Sequence, residues 1–142
     1  MTTAIRTDAF LSHPPEKVWR ALTEPEILAG WLMPNDFEAQ VGHRFTFRTD
    51  PVPGHGFDGI VHCEVLALEP PRLLSISWLG GAGINTTVTW SLVAEGTGTR
   101  LFLVHEGFDA TDPGQQAVRR ILGGGRTGHL RSRLEQALGS LA

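Results

Sequence analysis

The C-terminal segment from Asp112 to Leu141 constrains the fold of this chain more than any other stretch. It opens with Asp-Pro, which is a helix start signal. Its apolar residues recur at spacings of three and four, as one face of a helix requires: Val118, Ile121, Leu122, Leu130, Leu134, Ala137, Leu138 and Leu141. Because no other stretch could span a domain as a helix, the sequence predicts one long C-terminal helix around which the rest is arranged.

The residues before this helix are typical of short strands rich in Val, Ile, Thr, Phe and Trp. The clearest strand is 85–93, where polar and apolar residues alternate strictly. A tight turn at Gly42-His43 is expected to join two of the strands. The predicted strands cover residues 5–11, 37–41, 44–49, 60–68, 73–78, 85–93 and 99–106.

Two short helices are predicted after the first strand, over residues 12–22 and 23–32. Pro14, Pro15 and Pro25 suit first helical turns, because the N–H that proline lacks would have no helical partner there. The element order indicates an α+β fold. We expect one domain over residues 1–142, with a curved antiparallel sheet of six or seven strands wrapped around the C-terminal helix.

Composition limits the function classes. A single Cys63 excludes an internal disulfide and a cysteine-rich metal site. Without a charged-then-apolar leader or an apolar run of about 20 residues, we expect a cytoplasmic protein with no membrane span. The net charge of -3 does not favour nucleic acid, and the arginines of the last helix are interpreted as a solvated face.

The motifs that usually indicate cofactors are incomplete. Residues 123–128 read G-x-G-x-x-G, but they follow a helix-like segment rather than a strand, so dinucleotide binding is not predicted. His62-Cys63-Glu64 contains the H-x-E of zinc deaminases without the P-C-x-x-C that completes the metal site. No Ser-His-Asp order or carboxylate pair stands out. We therefore predict no cofactor, no metal and no catalytic set.

Several short motifs resemble one known family. They are PPEKVWRALTEP at residues 14–25, Trp31, Gly42, EPPR at 69–72, GTRL at 98–101 and HEGF at 105–108. Together they resemble the SRPBCC superfamily, in the branch related to the C-terminal domain of the heat-shock protein ATPase activator. The resemblance covers nearly the whole chain and implies a START-like helix-grip fold that encloses a mostly apolar cavity. Relatives often carry Trp where this chain has Arg126.

Arg126 follows three successive glycines, which cost a helix about 2 to 3 kcal/mol relative to alanine. We expect these glycines to allow close approach to the sheet or to a bound molecule. Arg126 is expected at the cavity mouth, where its guanidinium would favour a carboxylate or phosphate. The candidate ligand-binding residues are Trp31, Phe45, Phe47, Trp78, Trp90, Leu103, His105, Leu122, Arg126 and His129.

Two of these assignments leave alternatives open. An inward His105 could orient a ligand or move a proton, or it could be a core histidine bonded to a backbone carbonyl or to water. Trp31, Trp78 and Trp90 could each belong to the core or to a cavity wall.

The first functional hypothesis is a non-enzymatic protein that binds an unknown small apolar or amphipathic molecule. One alternative is a chaperone-associated stress protein, and another is a cyclase-like or hydrolase-like enzyme that uses the same cavity. Fold alone does not choose among them. A homodimer is also possible, formed through strand edges and the apolar Trp31-Leu32-Met33 segment.

Overall fold

The computed structural model describes residues 4–48, 59–79, 85–107, 111–112 and 131–139. Within them lie six strands: β1 (Ile5–Leu11), β2 (Arg44–Arg48), β3 (Ile60–Glu69), β4 (Leu73–Leu79), β5 (Asn85–Glu95) and β6 (Gly98–Glu106). The described helices are α1 (Pro15–Thr23), α2 (Pro25–Trp31) and α3 (Arg131–Gly139). The strands form one curved antiparallel sheet in the order β1-β6-β5-β4-β3-β2. The predicted α+β helix-grip fold is confirmed.

The alternation of the strand sequences decides which face of the sheet is buried. In β5, Thr86, Val88, Trp90 and Leu92 are buried, whereas the residues between them are only half-buried. The same alternation holds in β2 and β4. We call the side with the buried residues the inner face. Because each strand alternates with a period of two, its apolar residues collect on this face and form the core.

Helices α1 and α2 are joined through one buried hydrogen bond. The carbonyl of Ala21 would ordinarily accept the N–H four residues later, but that residue is Pro25, which has none. The indole N–H of Trp31 donates to the Ala21 carbonyl instead, at 2.8 Å. Trp31 therefore completes the end of α1 and fixes the angle between the two helices.

The C-terminal helix is confirmed where it is described. In α3, Leu134 and Leu138 are buried and belong to the hydrophobic core, and α3 contacts both α1 and α2. The predicted earlier part of this helix, over residues 113–130, lies outside the described residues.

The predicted strand at residues 37–41 is wrong. Phe37 is buried, but residues 38–41 are exposed and belong to no strand, and the β-bridge nearby pairs Asn35 with Phe47. Local bonds replace a ladder, because the side chain of Asn35 accepts the Phe37 N–H at 3.0 Å and the main chain of residues 38–43 bonds to itself. We call residues 34–43 the strap, since they run along the edge strand β2.

The apolar segment predicted to support a homodimer is not available on the surface. Trp31 and Leu32 are buried, and Met33 packs against the core. Three of the exposed large apolar residues lie instead on the outer face of β1, β5 and β6: Phe10, Val93 and Phe102. The segment Trp31-Leu32-Met33 is therefore not an exposed apolar surface, and a homodimer stays a prediction.

Candidate functional site

Five rings form a continuous row along the inner face of the sheet. The row comprises Phe37, Phe45, Phe47, Trp78 and His105. Successive ring centroids lie 5.1, 5.3, 5.6 and 5.5 Å apart, within the range of favourable aromatic contacts. The strap contributes the first ring, β2 the next two, and β4 and β6 the last two. We call these five residues the aromatic row.

The local sequence explains how these rings meet. Phe45 and Phe47 are two residues apart in β2, so both side chains point to the inner face. Strand β3 lies between β2 and β4 and places Cys63 and Val61 opposite these two phenylalanines. Because both side chains are short, Phe47 reaches across β3 to Trp78.

The row ends at a buried polar pair. His105 is 0% exposed and Thr86 is 2% exposed. The Thr86 hydroxyl lies 2.7 Å from His105 Nε2 and 2.8 Å from the main-chain carbonyl of Trp78. A carbonyl can only accept, so the single hydroxyl proton must go to Trp78. His105 Nε2 therefore donates to Thr86 and carries a proton.

The bond between His105 and Thr86 is one that the sequence did not predict, because it joins side chains of two different strands. Burying an unpaired polar group costs free energy, so this bond helps to stabilise a fully buried imidazole beside Trp78.

The opposite end of the row carries a second histidine, His43, for which the sequence predicts only a place in a turn. The ring of His43 stacks on Phe45 at an interplanar angle of 5°. Its Nε2 lies 3.0 Å from the main-chain oxygen of Asp36, and its Nδ1 lies 3.2 Å from the carboxylate of Glu38. A Gly-His dipeptide in a turn gives no sequence signal for such contacts, because they depend on the path of the strap.

The carboxylate of Asp36 ties the strap to β2. It accepts the Thr46 N–H at 2.6 Å and lies 3.3 Å from the Thr46 hydroxyl. The bond from the Thr46 N–H is the main cause that lowers the pKa of Asp36 below its ordinary value, and the nearby His43 lowers it further. Asp36 is therefore ionised at neutral pH.

The remaining predicted site residues are only partly brought together. Trp90 and Leu103 are cross-strand partners on the inner faces of β5 and β6. Trp31 lies apart, at the junction of α1 and α2. The residues Leu122, Arg126 and His129 lie outside the described residues, and so do the glycines 123–125. That these side chains line a cavity stays a prediction.

Neither a metal cluster nor a membrane-spanning helix is present in the described part of the chain. Among the residues that the structure describes, no three His, Cys, Asp or Glu side chains are grouped as metal ligands. None of the described helices is long and apolar enough to cross a bilayer.

The family of this chain is shown by a match that covers most of its length. Residues 12–139 match the family described as activator of Hsp90 ATPase homolog 1-like protein. The chain belongs to this family. The resemblance to the SRPBCC superfamily inferred from the short motifs is thereby confirmed.

Solved structures support the same assignment. The X-ray structure of protein MLL2253 from Mesorhizobium loti is 36% identical, with a TM-score of 0.85 over 98% of both chains. The solution structure of Bacillus halodurans protein BH1534 is 30% identical, with a TM-score of 0.73 over 96% of this chain and 97% of that one. Among curated proteins, none matches this sequence.

A more distant likeness concerns the fold alone. DynU16, a protein from the dynemicin biosynthetic locus, is 23% identical and has a TM-score of 0.77. The match covers 99% of this chain but 48% of DynU16, so this domain spans about half the length of that protein.

Proposed function

We propose that this domain binds a small apolar or amphipathic molecule between the inner face of the sheet and the C-terminal helix. The aromatic row is the observation that carries the proposal. It presents large apolar rings in sequence and ends at one buried polar pair, which is the composition typical of small-molecule sites. Membership of the family supports this proposed function.

The His105–Thr86 pair distinguishes this arrangement from an ordinary hydrocarbon core. A core gains most from side chains without polar atoms, yet here an imidazole is fully buried among strands β4, β5 and β6. We infer that the pair orients the polar end of the bound molecule, while Phe47 and Trp78 contact its apolar part. In this proposal, contacts with the apolar rings provide the binding affinity, and the polar pair sets the orientation of the bound molecule.

Fluorescent probes test this proposal. Phenylnaphthylamine is neutral and anilinonaphthalene sulfonate is anionic, and both report transfer into an apolar site. We expect Phe47→Leu to weaken phenylnaphthylamine binding about fivefold to tenfold, because a ring contact is lost. Near-ultraviolet circular dichroism and urea denaturation of the variant show whether the fold persists.

The matched control removes a ring from the outer face. Phe102 is 41% exposed and lies on the opposite side of the sheet, so Phe102→Leu is expected to leave probe binding unchanged. If Phe102→Leu binds the probe more weakly and Phe47→Leu does not, the probe binds to the outer surface. The proposal would then be wrong.

The prediction for Arg126 can be tested with the same pair of probes. If Arg126 lies at the cavity mouth, Arg126→Ala should weaken the anionic probe and leave the neutral one unchanged. Equal effects on both probes would assign Arg126 to the solvated face of the helix.

A second candidate function comes from the family itself, whose description names the Hsp90 ATPase. In this case the domain would bind the chaperone and raise its rate of ATP hydrolysis. An ATPase assay of Hsp90 with and without the purified protein tests this candidate, and an unchanged rate at equimolar protein would exclude it. We place either activity in the cytoplasm, where the buried thiol of Cys63 would stay reduced.

A further inference from the structure

The strap is held against the rest of the protein by hydrogen bonds at both of its ends. At its start, the Asn35 amide donates to the carbonyls of Pro25 and Met33, and the Arg48 N–H donates to the carbonyl of Pro34. At its end, the Gly42 N–H donates to the Val65 carbonyl at 2.8 Å. These contacts keep the strap beside β2.

Between these ends, the strap covers the first part of the aromatic row. Phe37 is 2% exposed and meets Phe45 edge to face, at 5.1 Å between ring centroids. The residues that follow Phe37 are exposed, so Phe37 is the part of the strap that closes the interior. A movement of the strap would therefore uncover Phe45.

The contacts of His43 depend on its protonation. Both ring nitrogens face hydrogen-bond acceptors: the Asp36 carbonyl at 3.0 Å and the Glu38 carboxylate at 3.2 Å. A neutral imidazole carries one N–H, whereas an imidazolium carries two. Only the protonated ring can donate to both oxygens, so loss of the proton must break one of the two contacts.

We propose that His43 is a proton-dependent latch that holds the strap closed over the β2 end of the aromatic row. With the imidazolium in place, Asp36 and Glu38 are both bonded to His43. His43 is in turn held on the sheet, because its ring stacks on Phe45 of β2 and its carbonyl accepts the Val65 N–H of β3 at 3.0 Å. When the proton leaves, one bond is replaced by repulsion between lone pairs, and the strap opens more often. The latch itself does not depend on ligand binding, but its effect on ligand entry rests on the proposed function.

The elements next to His43 carry several other charged or titratable groups. The strap contributes Asp36 and Glu38, β2 contributes Arg44 and Arg48, and β3 contributes His62 and Glu64. Arg44 lies 3.5 Å from Glu64 and is 86% exposed, so its charge is largely paired and screened. His62 lies opposite Thr46 in the register and is exposed, so it is the histidine whose contribution must be separated from that of His43.

Amide hydrogen exchange tests the latch in the protein without ligand. The reporters are the N–H groups of Phe37 and Thr46, which bond to Asn35 and Asp36. After correction for intrinsic rates, we expect their protection to fall about threefold to fivefold from about pH 5.5 to about pH 8, as loss of one partly exposed ion pair implies. Asp36 stays ionised throughout, because its pKa is lowered.

Three variants decide which group is responsible. His43→Gln cannot titrate, so the change in protection with pH should disappear. His62→Gln should keep the change, and so should His13→Gln, which removes a half-buried histidine at the end of β1. Protection that does not change with pH in the native protein, or a change that survives in His43→Gln, would overturn the proposal. A change lost only in His62→Gln would assign the effect to His62 and overturn it equally.

The consequence for ligand entry is measured separately, as the association rate of phenylnaphthylamine. We expect this rate to rise with pH in the native protein and to be constant in His43→Gln. If exchange depends on His43 but the probe does not bind at all, the latch stands and the proposed binding function is wrong. If the probe binds at a rate that does not follow the exchange, the latch does not control entry.

Discussion

The two histidines at opposite ends of the aromatic row share a residue type and differ in almost everything else. His105 is 0% exposed and bonds to Thr86, and both are held by paired strands in the interior of the sheet. His43 stands at the edge, with 23% of its side chain exposed, and its ring bonds to Asp36 and Glu38 of the strap, which forms no ladder. The first ring is enclosed in the core, whereas the second is in contact with water.

The difference follows from the surroundings of each ring. A hydrogen bond inside a sheet is protected from water, so its loss leaves a desolvated group without compensation. A contact at the edge competes with water and with the motion of Glu38, whose side chain is 71% exposed. Removal of the imidazole should therefore lower the free energy of unfolding more at His105 than at His43.

The largest effect is expected from His105→Ala. Truncation of a fully buried ring leaves a cavity beside Trp78 and removes the donor to Thr86, so we expect a loss of about 2 to 4 kcal/mol in the free energy of unfolding. Urea denaturation measures this loss. The matched variant His43→Ala should cost less than about 1 kcal/mol. Equal losses in the free energy of unfolding for His105→Ala and His43→Ala would show that burial does not distinguish the two histidines.

A smaller effect is expected from Thr86→Val, which replaces the hydroxyl with a methyl group. The Trp78 carbonyl and His105 Nε2 then lose the hydroxyl that bonds both, and the expected cost is about 1 to 3 kcal/mol. The control is Thr89→Val in the same strand. The Thr89 hydroxyl lies 3.1 Å from that of Ser75 and is only half-buried, so this change should stay within about 0.5 kcal/mol. A neutral Thr86→Val would show that the buried pair does not need its hydrogen bond.

The smallest effect on stability is expected from Asp36→Asn in the strap, and it depends on pH. The lowered pKa of Asp36 means that the folded protein holds this proton less tightly than the unfolded chain. Its contribution to stability is present above the ordinary value of 3.8 and is lost as the pH falls through the lowered pKa. Asp36→Asn keeps an acceptor but cannot titrate, so it should be less stable than the native protein at neutral pH and lose less stability in acid.

Urea denaturation of both proteins at neutral pH and below about pH 3.8 checks this expectation. A stability difference that is the same at both pH values would show that the carboxylate of Asp36 contributes nothing by its charge. The exchange of the Thr46 amide, which bonds to Asp36, provides a local reading of the same change.

Much of the fold could be predicted because it depends on periodicity. The alternation in residues 85–93 predicts the inner face of β5, and the observed burial agrees at Thr86, Val88, Trp90 and Leu92. Phe45 and Phe47 are two residues apart in β2, and both are buried on the inner face for the same reason. The predicted strand at 37–41 failed because Asn35 and Asp36 take up nearby N–H groups with their side chains, which a count of apolar residues does not reveal.

Spacing along the chain was enough to predict the six described strands, the inner face of β5 and the family. The tertiary structure was needed to show that Phe37 meets Phe45, that Trp31 replaces the N–H missing at Pro25, and that His105 bonds to Thr86. It also decided that the two nitrogens of His43 face two acceptors. These contacts join residues whose distance is set by strand register and by the path of the strap, and no local pattern encodes either.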